Sequence, residues 1–189
     1  MLFRSLVPEW VRIERLIRDI PSESIHAGNK KTNLRQMMQS QGVECRCIRC
    51  REPRDQEVAL DDVELVVREY EASGGKEFFV SYESKDKKTI YAFTRLRLQH
   101  LQKHWLPVLQ DAAIIREIHT YGKLKPIDAG KGSVQHIGLG RRLIVEAERI
   151  ARENGYGRMA VIAGVGVREY FCGLGYELEE EYMVKNFSI

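Results

Sequence analysis

The chain has 189 residues, a formal net charge of +3 and 30% charged residues, a length that holds one domain of ordinary size plus an N-terminal extension. No apolar stretch reaches membrane-spanning length and no secretory signal pattern opens the chain, so composition excludes a membrane-spanning or secreted protein and a cytoplasmic setting is expected. The charge is unevenly spread: residues 1–54 hold 11 basic and 6 acidic side chains (11 − 6 = +5), which leaves −2 for the remainder.

A basic segment joined to a near-neutral domain fits a contact with a phosphate backbone, and it fits an ordinary solvated surface equally well. Within it, Val11, Ile13, Leu16, Ile17 and Ile20 suggest a short helix stopped by Pro21. After a loop, Thr32 caps a second predicted helix that runs to about Ser40 and ends at Gln41-Gly42. Cys45 to Arg51 reads as a tight, extended stretch. Cys45, Cys47 and Cys50 crowd together too closely for a disulfide framework, whereas Cys47 and Cys50 form a C-x2-C half-knuckle of zinc-binding spacing. Three thiolates are one ligand short of a closed zinc site; His26, a water or a residue from another domain are the candidates for the fourth. The competing reading makes these cysteines small buried hydrophobes, and Cys172 is expected merely to pack.

Val63–Glu71, Phe78–Glu83 and Ile90–Leu98 are apolar or alternating and are separated by Ser73-Gly74-Gly75 and Lys85-Asp86-Lys87-Lys88, which predicts a β-meander. Leu98–Leu109 fits either a short helix broken by Pro107 or a folded loop; its His100 and His104 have metal-pair spacing but lack the glutamate of a metalloprotease. Ala112–Tyr121 is β-rich. On it, Glu117 and His119 lie two apart and therefore on one face, where they could polarise a water or an acceptor, or where Glu117 could simply pair with a basic neighbour. Gln135-His136-Ile137-Gly138-Leu139-Gly140 runs directly into Leu143, Ile144, Ala147, Ile150 and Ala151 at helical spacing, with Asn154-Gly155 ending the pattern. Unpaired N–H groups at such a helix start receive a pyrophosphate, and Arg141 or Arg142 can add charge-assisted bonds. A Rossmann site would place an acidic residue about twenty positions further on, but the next strand, Met159–Ala163, ends Ala163-Gly164.

Strand, glycine turn, helix, strand, helix and the Leu174-Gly175-Tyr176-Glu177 hairpin strand, in that order, resemble the GNAT acyltransferases over roughly the last hundred residues. A narrower likeness covers nearly the whole chain. Arg18-Asp19-Ile20-Pro21, Asn33-Leu34-Arg35, Arg49-Cys50-Arg51-Glu52, Arg116-Glu117-Ile118-His119-Thr120-Tyr121-Gly122 and Gly164-Val165-Gly166-Val167-Arg168-Glu169-Tyr170-Phe171 resemble the family of the Elongator catalytic subunit, the tRNA wobble-uridine acetyltransferases.

That resemblance implies an α/β GNAT domain over residues 58–189, with a mixed, mostly antiparallel sheet and splayed central strands, preceded by a basic, helical, cysteine-containing linker over residues 1–57 that helps hold tRNA. Acetyl-CoA is the implied cofactor, between Ile114–Tyr121 and Met159–Ala163, contacting Gln135, His136, Ile137, Gly138, Leu139, Gly140, Arg141, Tyr170 and Phe171. Tyr170 is the implied proton donor to, or orienter of, the departing sulfur, with Glu117 and His119 beside it; Phe171 stands where many relatives have a second tyrosine. Cys45, Cys47 and Cys50 would hold zinc, and Arg12, Arg15, Arg18, Lys30, Lys31, Arg35, Arg46, Arg49 and Arg51 would face tRNA.

The family joins such a domain to a radical-SAM domain that uses S-adenosylmethionine and an iron–sulfur cluster on C-x3-C-x2-C, a spacing absent from these 189 residues. The expected chain is thus the acetyltransferase portion, either excised or naturally short, with tRNA-stimulated acetyl-CoA hydrolysis as its own reaction and a radical-SAM domain or subunit in trans as a candidate partner. A freestanding GNAT N-acetyltransferase acting on a protein lysine or small amine, and a non-catalytic tRNA-binding module, are the alternatives.

Overall fold

The computed structural model describes residues 6–14, 16, 21–28, 30–31, 33–53, 63–99, 104–121 and 137–187. The chain divides between Glu52 and Pro53 into two units; the expected boundary at residue 57 lies outside the described residues.

In the first unit, helix α1 spans Leu34–Ser40 and a single turn, α2, spans Ile48–Arg51. The predicted helix from Val11 is not found over residues 11–14, which are irregular because their carbonyls are used elsewhere: Val11 accepts the Ile48 N–H at 3.0 Å, and Ile13 accepts the Arg35 guanidinium at 2.5 Å. Its continuation through residues 17–20 lies outside the described residues. Nor is Cys45–Arg51 wholly extended, since Cys47 caps α2 and the Cys50 N–H closes the turn on its carbonyl at 3.0 Å. Among the described residues, Met38, Cys47 and Ile48 supply the buried apolar side chains of this unit.

In the second unit, β1 (Val63–Ala72), β2 (Gly75–Ser84) and β3 (Ile90–Gln99) form the predicted meander, each longer than its apolar run. The first hairpin closes through Ser73 and Gly74 at φ 47° and 70°, the twist that a two-residue β-turn between right-twisted strands needs. A short 3-10 turn at Pro107–Leu109 leads into β4 (Ala112–Thr120). Then come the 17-residue helix α3 (Ile137–Glu153), β5 (Arg158–Ile162), the short helix α4 (Arg168–Cys172), β6 (Glu177–Glu179) and β7 (Tyr182–Asn186). The seven strands lie in the order β1-β2-β3-β4-β5-β7-β6, antiparallel except for β4 against β5.

Leu139, Leu143, Ile144, Ala147, Ile150 and Ala151 form the apolar stripe of α3 and are buried against Val80, Leu96, Ile115, Met159 and Val161 of the sheet. Removing each large side chain of that stripe from water stabilises the fold by about 1.5–3 kcal/mol, enough to make α3 a fixed element. On the other face, Val108, Leu109, Ala112, Ile114, Ala160 and Val184 make a smaller cluster. Beyond it, the same face of β1–β4 carries charge. Arg68 grips Glu83 at 2.7 and 3.0 Å, Glu77 accepts the Tyr70 hydroxyl at 2.9 Å and Arg97 at 3.1 Å, and Arg95 pairs with Glu117 at 2.8 Å.

Candidate active site

Parallel pairing of β4 with β5 runs from Ala112↔Arg158 to Ile115↔Val161 and stops there, although β4 continues to Thr120. One residue later the β3–β4 ladder shifts register, with Arg95 opposite Glu117 and Leu96 opposite Ile115, so Arg116 is an extra residue in β4. A bulge of this kind bends its strand and increases local twist, which steers β4 away from β5 and opens a V between them. Past the bulge the alternation of side chains changes phase. Arg116 and Glu117 therefore both reach the face away from α3, the first to Glu77 and the second to Arg95.

The N-terminus of α3 lies at the other side of this opening. A methyl group placed on Gly140 would sit 3.4 Å from the Tyr170 hydroxyl and 3.6 Å from Thr120 Cγ2, so the end of β4, the first turn of α3 and α4 converge on one spot. At Gly138 the same methyl would meet only Arg142 Nε at 3.9 Å, which leaves that side of the turn open. The first turn of α3 holds no acidic residue, and Arg141 and Arg142 follow it, both exposed. Cations near the positive end of a helix dipole are unfavourable unless an anion joins them. Fit to a pyrophosphate is thus visible in this chain's own residues: open backbone, positive dipole end and two guanidinium groups. Gln135 and His136 lie outside the described residues, and of Ile137 only the backbone is described.

Tyr170 is 45% exposed, and burial of the rest of its ring raises its pKa above the ordinary phenol value against the lowering influence of Arg141. It therefore holds its proton at neutral pH as a donor. Phe171 corrects the expected contact list: it is 2% exposed, packs edge-on against Tyr170 and Tyr176, and turns into the core, because neighbours on a helix point about 100° apart. A hydroxyl at that position would enter the core and not the V. Glu117 and His119 do share a face, as period-two alternation requires: Glu117 is matched by Arg95, and the His119 ring stacks 6.0 Å from Phe93 and lies 4.4 Å from Tyr121. Thr120, Arg95, Glu77 and Arg116 were not among the expected site residues; Thr120 comes to notice through its approach to Gly140, the other three through the bulge.

In the N-terminal unit the sulfur atoms of Cys45, Cys47 and Cys50 lie within 4.8 Å of one another, and His26 is not among the group. Three thiolates around zinc at about 2.3 Å need S···S separations of about 3.8 Å, so the turn fits such an ion after a small contraction. A thiol hydrogen bond from Cys50 holds Cys47 below the ordinary thiol value, while Cys50, the donor, is pushed up by that bond and by burial. Arg35 donates to Cys50 Sγ at 3.1 Å and to the Ile13 carbonyl, and Arg51, 4% exposed, donates to the carbonyls of Arg46 and Glu9 at 2.9 and 2.8 Å. Both guanidinium groups staple this unit internally, which corrects their expected place on an RNA-facing surface. Lys30 and Lys31 are exposed, Arg46 and Arg49 have 73% and 49% of their side chains exposed, and Arg12 pairs with Glu52 at 2.6 Å. Arg15 and Arg18 lie outside the described residues. His104 uses Nδ1 to accept the Leu106 N–H at 3.1 Å, His100 lies outside the described residues, and Cys172 is exposed and not packed.

A mixed sheet opened between parallel β4 and β5, with a glycine turn and helix facing the opening, is the architecture of the GNAT fold class, and the chain has that fold. No protein-family model matches the sequence. It is 42% identical over 192 residues to Elongator complex protein 3 of Danio rerio, covering 96% of this chain and 35% of that protein. It is 43% identical over 198 residues to a tRNA uridine(34) acetyltransferase of Dehalococcoides mccartyi, covering 98% of this chain and 42% of that one. Among solved structures, an archaeal Elp3 of Methanocaldococcus infernus with an N-terminal deletion matches with a TM-score of 0.81 at 39% identity, over 97% of this chain and 46% of that chain. The chain is thus homologous to one part of Elongator protein 3 and of the tRNA uridine(34) acetyltransferases, and it spans between a third and a half of the length of these relatives.

Proposed function

We propose that the chain binds acetyl-CoA in the V between β4 and β5 and serves, in the cytoplasm, the acetylation of a tRNA wobble uridine toward a C5 carboxymethyl-type product. The observation that carries this reading is the convergence of Tyr170, Gly140 and Thr120 at the mouth of a V whose helix start is basic and free of acids. Acetyl-CoA supplies an activated acetyl group as a thioester. Backbone N–H groups of Ile137 to Arg141 would hold its diphosphate, joined by Gln135 and His136 and by the Arg141 guanidinium. The Tyr170 hydroxyl, protonated at neutral pH, donates a hydrogen bond to sulfur as the thiolate departs. On the far face of the opening, Glu117 and His119 orient a water or the acceptor, with Arg95 fixing the Glu117 carboxylate.

Radical chemistry at uracil C5 or on the acetyl group falls to a radical-SAM domain or subunit with S-adenosylmethionine and an iron–sulfur cluster, in trans or in the same polypeptide. Alone, this chain hydrolyses acetyl-CoA in response to tRNA. Lys30, Lys31, Arg12, Arg46 and Arg49 would meet a phosphate backbone, Arg12 and Arg49 by exchanging their shared partner Glu52 for phosphate, with Arg15 and Arg18 as further candidates from the sequence. Cys45, Cys47 and Cys50 fit a structural zinc that would lock the turn preceding Pro53.

One buffer separates the readings. Acetyl-CoA affinity by calorimetry, CoA release with and without tRNA, tRNA binding as a function of salt, and acetylation of amines are measured on the same preparation. CoA release raised by tRNA supports the proposal; acetyl transfer to a lysine peptide or small amine without RNA would replace it with a freestanding N-acetyltransferase. RNA affinity without measurable acetyl-CoA binding would leave a non-catalytic tRNA-binding module.

A further inference from the structure

Glu77 is a buried, heavily engaged carboxylate on the charged face of the sheet, and it lies two strands from the V. It is 2% exposed; its Oε2 accepts the Tyr70 hydroxyl at 2.9 Å and its Oε1 accepts Arg97 at 3.1 Å. Arg97 is itself pinned by the carbonyls of Ala72 and Ser73, both at 3.0 Å, so the carboxylate is held by the β1–β2 hairpin as well as by β3. The same Oε1 takes a further guanidinium, that of Arg116, which has crossed β3 to reach β2. Arg116 is the extra residue of the β4 bulge, and the bulge falls where β4–β5 pairing ends.

A single surplus residue can be absorbed by sliding the strand one position, which would send every later side chain to the opposite face. Here such a slip would turn Glu117 and His119 toward α3 and would carry Arg116 away from Glu77. An anchor on the surplus residue opposes it, and Glu77, fixed by three partners from three strands, is such an anchor. We infer that Glu77 and Arg116 form a cross-strand strut that holds the β4 bulge, and with it the V between β4 and β5, in the form that receives an acyl-CoA. Both are positioning residues: Glu77 is buried two strands from the opening, and Arg116 spends its charge on Glu77. The inference rests on the acetyl-CoA reading above.

The test is a double-mutant cycle on the whole chain, with acetyl-CoA affinity by calorimetry and melting temperature by circular dichroism. Glu77→Gln and Arg116→Gln are each expected to weaken acetyl-CoA binding roughly tenfold, and the double variant to be no weaker than either single one. Arg68→Gln, which breaks the Glu83 pair on the outer strands, should lower the melting temperature and leave the affinity unchanged; this separates loss of the strut from general loosening. Should Glu77→Gln fail to fold, Arg116→Gln and Arg116→Lys carry the test, with lysine restoring part of the affinity. Affinity within twofold of the parent in Arg116→Gln, or losses that multiply in the double variant, would overturn the strut. A parent chain with no acetyl-CoA affinity would remove the acetyl-CoA reading itself, a distinct result.

Discussion

Gly138→Asp moves fold and ligand in opposite directions, which makes it diagnostic. The new Cβ would meet nothing closer than Arg142 Nε at 3.9 Å, so no internal contact is lost. A carboxylate in the first turn of α3, which has no acid of its own, is favoured by the helix dipole by about 0.3–1 kcal/mol, and replacing glycine in a helix helps by a few tenths more. The melting temperature should therefore hold or rise slightly. For the ligand the sign reverses. A carboxylate about 5 Å from one phosphate charge costs roughly 3 kcal/mol at an effective dielectric of about 20, a loss of more than 100-fold in affinity. Calorimetry with acetyl-CoA and a thermal melt on one preparation read both quantities. Binding within a few-fold of the parent would show that no diphosphate sits on this turn, and a collapsed melting temperature would show that Gly138 serves packing.

Tyr170→Phe keeps the ring on Phe171 and deletes only the donor, so acetyl-CoA affinity should persist while CoA release slows roughly 10- to 100-fold; an unchanged rate dismisses the phenol. Cys47→Ser should abolish zinc retention, and Arg35→Gln, which strips the guanidinium from Cys50 Sγ, should weaken it about 10- to 100-fold by chelator competition; equal retention in both would assign the cysteines to packing. Glu148, 4% exposed, accepts the Tyr176 hydroxyl at 2.9 Å, Lys185 at 3.0 Å and Arg152 at 3.0 Å, so Glu148→Ala should cost about 3–5 kcal/mol in denaturant unfolding; a loss under 1 kcal/mol would mean the network is dispensable.

A pH dependence follows from Glu77. Burial alone would raise its pKa, but Tyr70, Arg97 and Arg116 outweigh burial and hold it below the ordinary carboxylate value of 4.5. A lowered folded-state value means that its ionic contribution is complete above about 4.5 and fades as pH falls through the depressed value. The stability gap between the parent and Glu77→Gln should accordingly be constant above pH 5 and close in acid; a gap that widens in acid contradicts the assignment.

Periodicity carried most of the second unit. The stripe from Leu139 to Ala151 named both the helix and its buried face, because a 17-residue amphipathic pattern has few other solutions. Alternation found β1 to β3 but drew β2 and β3 too short, and at the start of β2 the reason is that Glu77 is a buried polar side chain that pairs across the sheet instead of facing water. The bulge was invisible for a plain reason: period two places Glu117 and His119 on one face, and nothing in the string says that Arg116 joins them. In the N-terminal unit, counting charges overstated the surface. Arg35 and Arg51 are spent on sulfur and on backbone carbonyls, contacts that depend on tertiary folding and leave no mark in composition. Val11 and Ile13 likewise mimic a helix start by spacing, although their carbonyls serve α2 and Arg35.

The last strand of the sheet is an inner one: β7 lies between β5 and β6, and its Tyr182–Asn186 ladder is the sole partner of β5 on the side away from β4. As the polypeptide leaves the ribosome, β5 therefore emerges with one flank bare, and it must wait through the synthesis of α4 and β6 before that flank is covered. Until then the β5 wall of the opening between β4 and β5 has no backing strand. The sheet is complete only when β7 occupies the gap between β5 and β6.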